Sequence, residues 1–300
     1  MAAVAVKAAM KAHGIQGTVK VYGTPAEETL VGKAFFVKHG VYDDADIVIS
    51  WHPNPSSSNT VNYRSSLAMD NFKVRFKGIA SHAASAPWEG RSALDAVELM
   101  SIGMNYMREH IKPESRIMSC ITAGGLAPNV VPPEAEVWYF VRSPHYKTVI
   151  ELMEWTKEIA KAATMMSHTE MEFLRITGVW EYLPNNVLAR VGDANVKLVG
   201  GPSWSEEDQK AGEPLSKTKG VKEGPYYVNK TKHPDLDASF TWAKGGGSID
   251  EANTSWIVPM VRFSATTRAK KVPGHFWQQV AGNCMLQAFK GSLIGAKYMA

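Results

Sequence analysis

Residues 68–78, AMDNFKVRFKG, decide the fold. From Phe72 to Lys77 apolar and charged side chains alternate strictly. That is the period of an antiparallel strand with one face on a core and the other in water. A helical pattern follows over about 93–110. Strand patterns come next in SRIMSCITAGG (115–125) and AEVWYFVRS (135–143), then a helix in TVIELMEWTKEIAKAATMM (148–166) and a strand in TEMEFLRITGVWEY (169–182). The order β-α-β-β-α-β is the split βαβ arrangement, a four-stranded antiparallel sheet with two helices on one face. It sets a small α+β, ferredoxin-like domain at 64–182.

The texture on either side is different. Residues 3–12 read as a helix, GTVKVYG (17–23) as a strand, about 29–39 as a helix, and ADIVIS (45–50) as a buried parallel strand ending at Trp51-His52-Pro53. NPSSSNT (54–60) reads as a loop. Beyond 183, a Gly/Pro/Lys-rich excursion (212–239) is followed by a strand in SWIVPMVRFSATT (255–267) and one long helix over 276–299. Helices alternating with short apolar strands indicate an α/β unit. The reading is therefore an α/β domain formed by 1–63 and 183–300, interrupted by the small domain at 64–182.

Composition narrows the function classes. Hydrophobic content of 45% and charged content of 21% over 300 residues are those of a globular protein. The net charge of +4 is dispersed, which argues against nucleic-acid binding. No apolar run approaches the roughly 20 residues of a membrane span. The opening MAAVAVKAAMKAHG lacks the basic start and small-residue cleavage site of a signal peptide. Cys120 and Cys284, far apart and among apolar neighbours, suggest buried thiols in a reducing, cytoplasmic setting.

Three groups of candidate ligands fall at strand ends of the α/β part: Glu27 and Glu28, His52, and His275. Active sites of open α/β sheets lie at the carboxyl ends of strands. Zinc accepts imidazole nitrogen and carboxylate oxygen, and a second carboxylate beside bound water is the usual base. Each group also has a plainer reading. Glu27-Glu28 after Thr24-Pro25 is a good acidic helix start, His52 a hydrogen-bonded loop or core histidine, His275 a helix-start residue. His82, in the small-residue loop GIASHAASAPWEG (78–90), suits a ligand approach or a turn equally. The absence of a Gly-Lys-Ser/Thr after GGGS (245–248) and of any G-x-S-x-G removes phosphate loops and serine hydrolases.

The motifs GTPAEE, SWHP, GIASHAASAPWEGRSALDAVELM, GGLAPNVVPPEAEVWYFVR, GGGSIDEANTSWIVP and VPGHFWQQ run through nearly the whole chain. In this order they resemble the zinc-dependent aminoacylase and carboxypeptidase-like metallopeptidases, in their N-acyl-amino-acid amidohydrolase branch. The resemblance implies a zinc-peptidase-like catalytic domain interrupted by a lid that also dimerises. It implies Glu27 as general base, and Glu28, His52 and His275 as ligands of Zn²⁺ or Mn²⁺. It implies that His82 steadies the oxyanion in the partner's site, and that Asn129 and Arg142 hold the substrate's carboxylate. The substrate would be an N-acyl or N-aroyl amino acid such as an aminobenzoyl-glutamate, and the assembly a homodimer through the lid. The family's catalytic domain opens with a His-x-Cys-Gly-His-type motif that supplies further ligands. This sequence has no such motif, so the expectation is a truncated catalytic domain with an incomplete metal site. The alternative is a dimerising subunit that needs a complementing N-terminal chain.

Overall fold

The computed structural model describes residues 1–55, 59–238 and 240–300. Its helices and strands, in chain order, are α1 (Ala2–His13), α2 (Gly32–Lys38), β1 (Val48–Pro55), β2 (Thr60–Asn62), β3 (Ala68–Lys77), α3 (Ala93–Met107), β4 (Arg116–Ala123), β5 (Glu134–Ser143), α4 (Tyr146–Ser167), β6 (Glu170–Val179), α5 (Asn186–Val199), α6 (Glu206–Lys217), β7 (Met260–Arg268), α7 (Trp277–Asn283) and α8 (Leu286–Met299). Short 3-10 turns at Glu27–Thr29, Asp250–Ala252 and Thr254–Trp256 matter to the site.

Strands β3 to β6 form one antiparallel sheet in the order β4-β5-β3-β6, the expected split βαβ topology. Strand β5 buries every second residue along its length. Its Val137, Tyr139 and Val141 meet Phe72, Val74 and Phe76 of β3 in a core closed by Val97, Met100 and Met104 of α3 and Val149, Leu152 and Met153 of α4. Ser92 caps α3 by accepting the Asp95 N–H at 3.1 Å, satisfying one of the donors that a helix start leaves open. Strand β3 departs from strict alternation at its beginning, where Ala68 through Phe72 are all buried. There the sheet's second face is also covered, by the Glu27–Leu30 turn.

The other sheet has three strands in the order β1-β7-β2, β1 parallel and β2 antiparallel to β7. Helices α5 and α8 pack on it around Val61, Phe263, Ala265, Val196 and Tyr298. Helix α8 lies so close to β7 that a side chain at Gly291 would overlap the Thr266 carbonyl.

Several expectations for this part are corrected. GTVKVYG is not a strand: residues 15–26 carry no regular structure, and residues 17–21 are exposed. Alternation makes a strand only where a neighbour offers a hydrogen-bond ladder, and here Lys20 pairs with Asp44 instead. Strand β1 continues through Trp51 and His52 to Pro55, so His52 lies within it opposite Ser264. The loop expected at 54–60 includes residues 56–58, which lie outside the described residues. The C-terminal helix is two, broken at Cys284-Met285. Both cysteines are exposed, not buried, Cys120 on the edge strand β4 and Cys284 at that break. Among the described residues no helix is long and apolar enough to cross a membrane.

Candidate active site

A cleft of about 820 Å³ opens between the two sheets. On one side stand Glu27, Glu28, His52, Arg262, the Gly245–Ile249 loop and His275. On the other is the helix-free face of the small domain's sheet, with Met118 and Cys120 of β4 and Trp138, Phe140 and Arg142 of β5. The spacing i, i+2, i+4 in Trp138, Phe140 and Arg142 puts all three on one face. That spacing is a signal for the whole wall in the sequence itself, whereas the family resemblance points to Arg142 alone.

The acidic turn is tightly shaped. Glu27–Thr29 is a 3-10 turn flanked by Ala26 (φ 63°) and Leu30 (φ 60°). A side chain at Gly32 would overlap the Pro25 carbonyl oxygen, so the glycine lets the chain fold back on itself. Asp250, fully buried, accepts the Lys33 backbone N–H at 2.9 Å and its Nζ at 2.7 Å, pinning the start of α2. Five non-glycine residues among those described have positive φ, and three of them (Ala26, Leu30 and His275) border this site. Such conformations are costly for L-residues and gather where geometry is specified.

The electrostatics separate the two acids. Burial, then the nearby Asp250 and Glu28 charges, push the Glu27 carboxyl above its ordinary range. Glu28 is exposed and its Oε2 lies 3.5 Å from His275 Nδ1. His52 keeps exposed surface, but desolvation by the surrounding protein, then the Arg262 charge, bring it down to about 4, so its imidazole is neutral at pH 7. Arg262 pairs with the buried Glu251 at 2.9 Å. Gln279 Oε1 accepts from both His275 N–H (2.9 Å) and Arg268 (3.1 Å), fixing the His275 turn. Arg142 is half-buried and burial alone lowers its pKa. It donates to Met69 Sδ at 3.2 Å and lies 5.9 Å from the Phe140 ring, and among the described residues it has no carboxylate partner.

His82 and Asn129 lie elsewhere. They sit together at the far end of the small domain, where Asn129 O accepts the Ala83 N–H and His82 bridges Val130. Arg142 is eight residues along β5 from the Glu134 start, roughly 27 Å at ~3.4 Å per residue, so one chain does not bring Asn129 and Arg142 to the same ligand. His82 Nδ1 accepts the N–H groups of Ala84 and Ser85, both at 3.3 Å. This leaves Nε2–H as an outward donor. As for a metal, carboxylate and imidazole are suitable donors. However, among the described residues no group of three His, Cys, Asp or Glu side chains is gathered closely enough to hold one. The residues present do not by themselves fit a metal ion.

Residues 68–165 match the peptidase dimerisation domain of the M20 family. The chain is 34% identical to a p-aminobenzoyl-glutamate hydrolase polypeptide of Escherichia coli (strain K12) over 320 aligned positions, covering 100% of this chain and 66% of that one. It is 33% identical to the Xaa-Arg dipeptidase of Homo sapiens over 63% of this chain and 43% of the other. The chain belongs to the M20 peptidase family. Among solved structures, the aminobenzoyl-glutamate utilization protein from Klebsiella pneumoniae superposes with a TM-score of 0.58 at 18% identity, over 92% of this chain and 58% of that one. A dinuclear metal-binding peptidase of the M20 family from Bacillus subtilis gives 0.53 at 14% identity, over 92% and 62%. Both share the fold, an α/β unit with an inserted dimerisation domain. The chain spans about two thirds of the length of the first relative and under half of the second.

Proposed function

We propose that this protein takes part in hydrolysing the amide bond of N-acyl or N-aroyl amino acids, with p-aminobenzoyl-glutamate as the leading substrate. The observation that carries the reading is the half-buried Arg142, without a carboxylate partner among the described residues, on the cleft wall facing Glu27. A guanidinium that burial makes less favourable as a cation gains most from a ligand carboxylate, which it binds as a two-pronged donor. The aromatic wall of Trp138 and Phe140 beside it offers apolar area to an aryl group. Glu27, with its raised pKa, is suited to take a proton from water and release it to the leaving nitrogen. In that step the water oxygen bonds to the acyl carbon, the C–N bond breaks, and the proton passes through Glu27 to the amine.

The reading includes a homodimer through the small domain, with His82 Nε2–H of one chain donating to the developing oxyanion in its partner's cleft. Asn129, next to His82, would arrive with it. Glu28, His52 and His275 are the proposed donors to Zn²⁺ or Mn²⁺, but no step is assigned to an ion that their present arrangement does not gather.

Release of p-aminobenzoate and glutamate by the purified chain, with and without added zinc or manganese, tests the reading. Glu27→Gln should lower kcat by a factor of about 10² or more while leaving substrate binding in place. Turnover that survives Glu27→Gln unchanged overturns it.

A second reading has its own support. Helix α8 turns Leu286 (73% exposed), Phe289 (61%) and Leu293 outward, and α7 exposes Trp277 and Val280. Together with the ungathered donors, this suits a dimerising subunit completed by another polypeptide. Absence of turnover, restored by a polypeptide carrying a His-x-Cys-Gly-His-type segment, would select it.

A further inference from the structure

The turn that carries Glu27 and Glu28 is anchored largely by the small domain. Thr177 Oγ1, on β6, donates to the Leu30 carbonyl at 3.0 Å. Asn71, on the neighbouring strand β3 and directly paired with Thr177, donates its Nδ2 to the Thr29 carbonyl at 3.4 Å. Both are buried. The Leu30 side chain packs on Met69 and Val179 of the same sheet. The Asn71 amide is oriented by its other end, because Oδ1 accepts the Trp138 indole N–H at 2.5 Å and its NH₂ must then face the turn. Trp138 in turn lines the cleft. A continuous chain of contacts therefore runs from the aromatic wall to the backbone that presents the acids.

We propose that Asn71 and Thr177 are positioning residues for Glu27, and that Trp138 makes the conformation of the acidic turn respond to a ligand in the cleft. The small domain then serves as more than a cover: its sheet sets the base-bearing turn, which is held on its other side by Asp250. A ligand stacked on Trp138 biases the indole N–H toward Asn71 and so tightens the turn. This rests on the amide-hydrolase reading for its kinetic consequence and for the choice of ligand; the coupling of Thr177 and Asn71 to the turn stands apart from it.

Amide hydrogen exchange of the full chain reads the coupling directly. The reporters are Leu30 and Val31, whose N–H groups bond to the Glu27 and Ala26 carbonyls. Thr177→Val, which keeps the shape and removes the donor, should speed their exchange about fivefold or more, the factor that one net hydrogen bond carries. Thr177→Ser should restore it, and amides of β5 should exchange as before in both. Added p-aminobenzoyl-glutamate should slow exchange at Leu30 and Val31 in the wild type but not in Trp138→Phe. In an active preparation Thr177→Val should lower kcat by about fivefold with KM little changed. Unchanged exchange at Leu30 and Val31 in Thr177→Val, equal acceleration throughout the small domain, or the same ligand protection in Trp138→Phe would overturn the proposal. A wild type without turnover counts against the hydrolase reading alone, since the exchange comparison does not need catalysis.

Discussion

The helices of the two sheets bury different mixtures of large and small residues. In the inserted domain, α3 and α4 turn Val97, Met100, Met104, Val149, Leu152 and Met153 onto their sheet. In the outer unit, α8 buries mostly small residues, Ala288, Gly291, Gly295 and Ala296, against β7 and Trp51, with Gln287 and, at its end, Tyr298, and turns Leu286, Phe289 and Leu293 outward. The first arrangement removes large apolar area from water, at about 25 cal/mol per Å², and closes a self-sufficient core. The second gains close backbone approach and leaves a large apolar stripe exposed. Stability should therefore be concentrated in the inserted domain, and the outer unit should be the part that depends on partners.

The largest expected effect is in that closed core. Phe72 is fully buried and stacks on Tyr139 (5.6 Å) and Phe173 (4.7 Å). Phe72→Ala should cost about 3–5 kcal/mol, read as a lower midpoint in urea. A loss under about 1 kcal/mol would mean that this core is loosely packed and the contrast with the outer unit unfounded.

Next comes the turn between the two regions. Gly32→Ala places a methyl group on the Pro25 carbonyl, so the turn must open. A stability loss of about 1–3 kcal/mol is expected, together with reduced turnover wherever the wild type shows it. Full activity in Gly32→Ala would show that the folded-back turn is not needed to present Glu27.

The open face of the inserted sheet gives a smaller, pH-dependent effect. Burial of Glu136 opposes its ionisation, but hydrogen bonds from Lys73 (2.7 Å), Thr122 (2.7 Å) and Arg75 (2.6 Å) outweigh it and hold the carboxyl down to about 2. With the folded pKa below the unfolded one, the stabilisation is complete above roughly pH 4.5 and is lost as pH falls toward 2. Discounted for solvent, since Arg75 is exposed, it amounts to about 1–2 kcal/mol. Glu136→Gln should flatten the stability profile across that window. An unaltered acid limb would remove this cluster from the account.

The same contrast explains what the sequence could show. The inserted domain was legible because its signals are local: β5 alternates along its whole length, and α3 carries its cap at Ser92. GTVKVYG alternates too, yet forms no strand, because alternation says nothing about whether a neighbour is present to pair with. The candidate site was legible as residue types at Glu27, Glu28, His52, Arg142 and His275, which line one cleft. Its supports were not. Asp250, Asn71 and Thr177 act through bonds spanning 217, 42 and 147 positions, and no pattern within a segment encodes a partner that distant. The position of His82 and Asn129 away from the cleft follows only from the length of β5.

The smallest expected effect bears most directly on the contrast. In the isolated chain Phe289 is a surface residue, and surface substitutions away from special features change stability by about 0.5 kcal/mol or less. Phe289→Ser should therefore leave the urea midpoint nearly unchanged while reducing concentration-dependent association, read by sedimentation. If instead it lowers stability by more than about 2 kcal/mol, in the range of a buried side chain, the α8 stripe is covered in solution. The outer unit would then possess a second core built with another chain. Since α8 packs on β7 and on Trp51 of the strand that carries His52, a partner on that stripe would reach the candidate site only through α8 and this sheet.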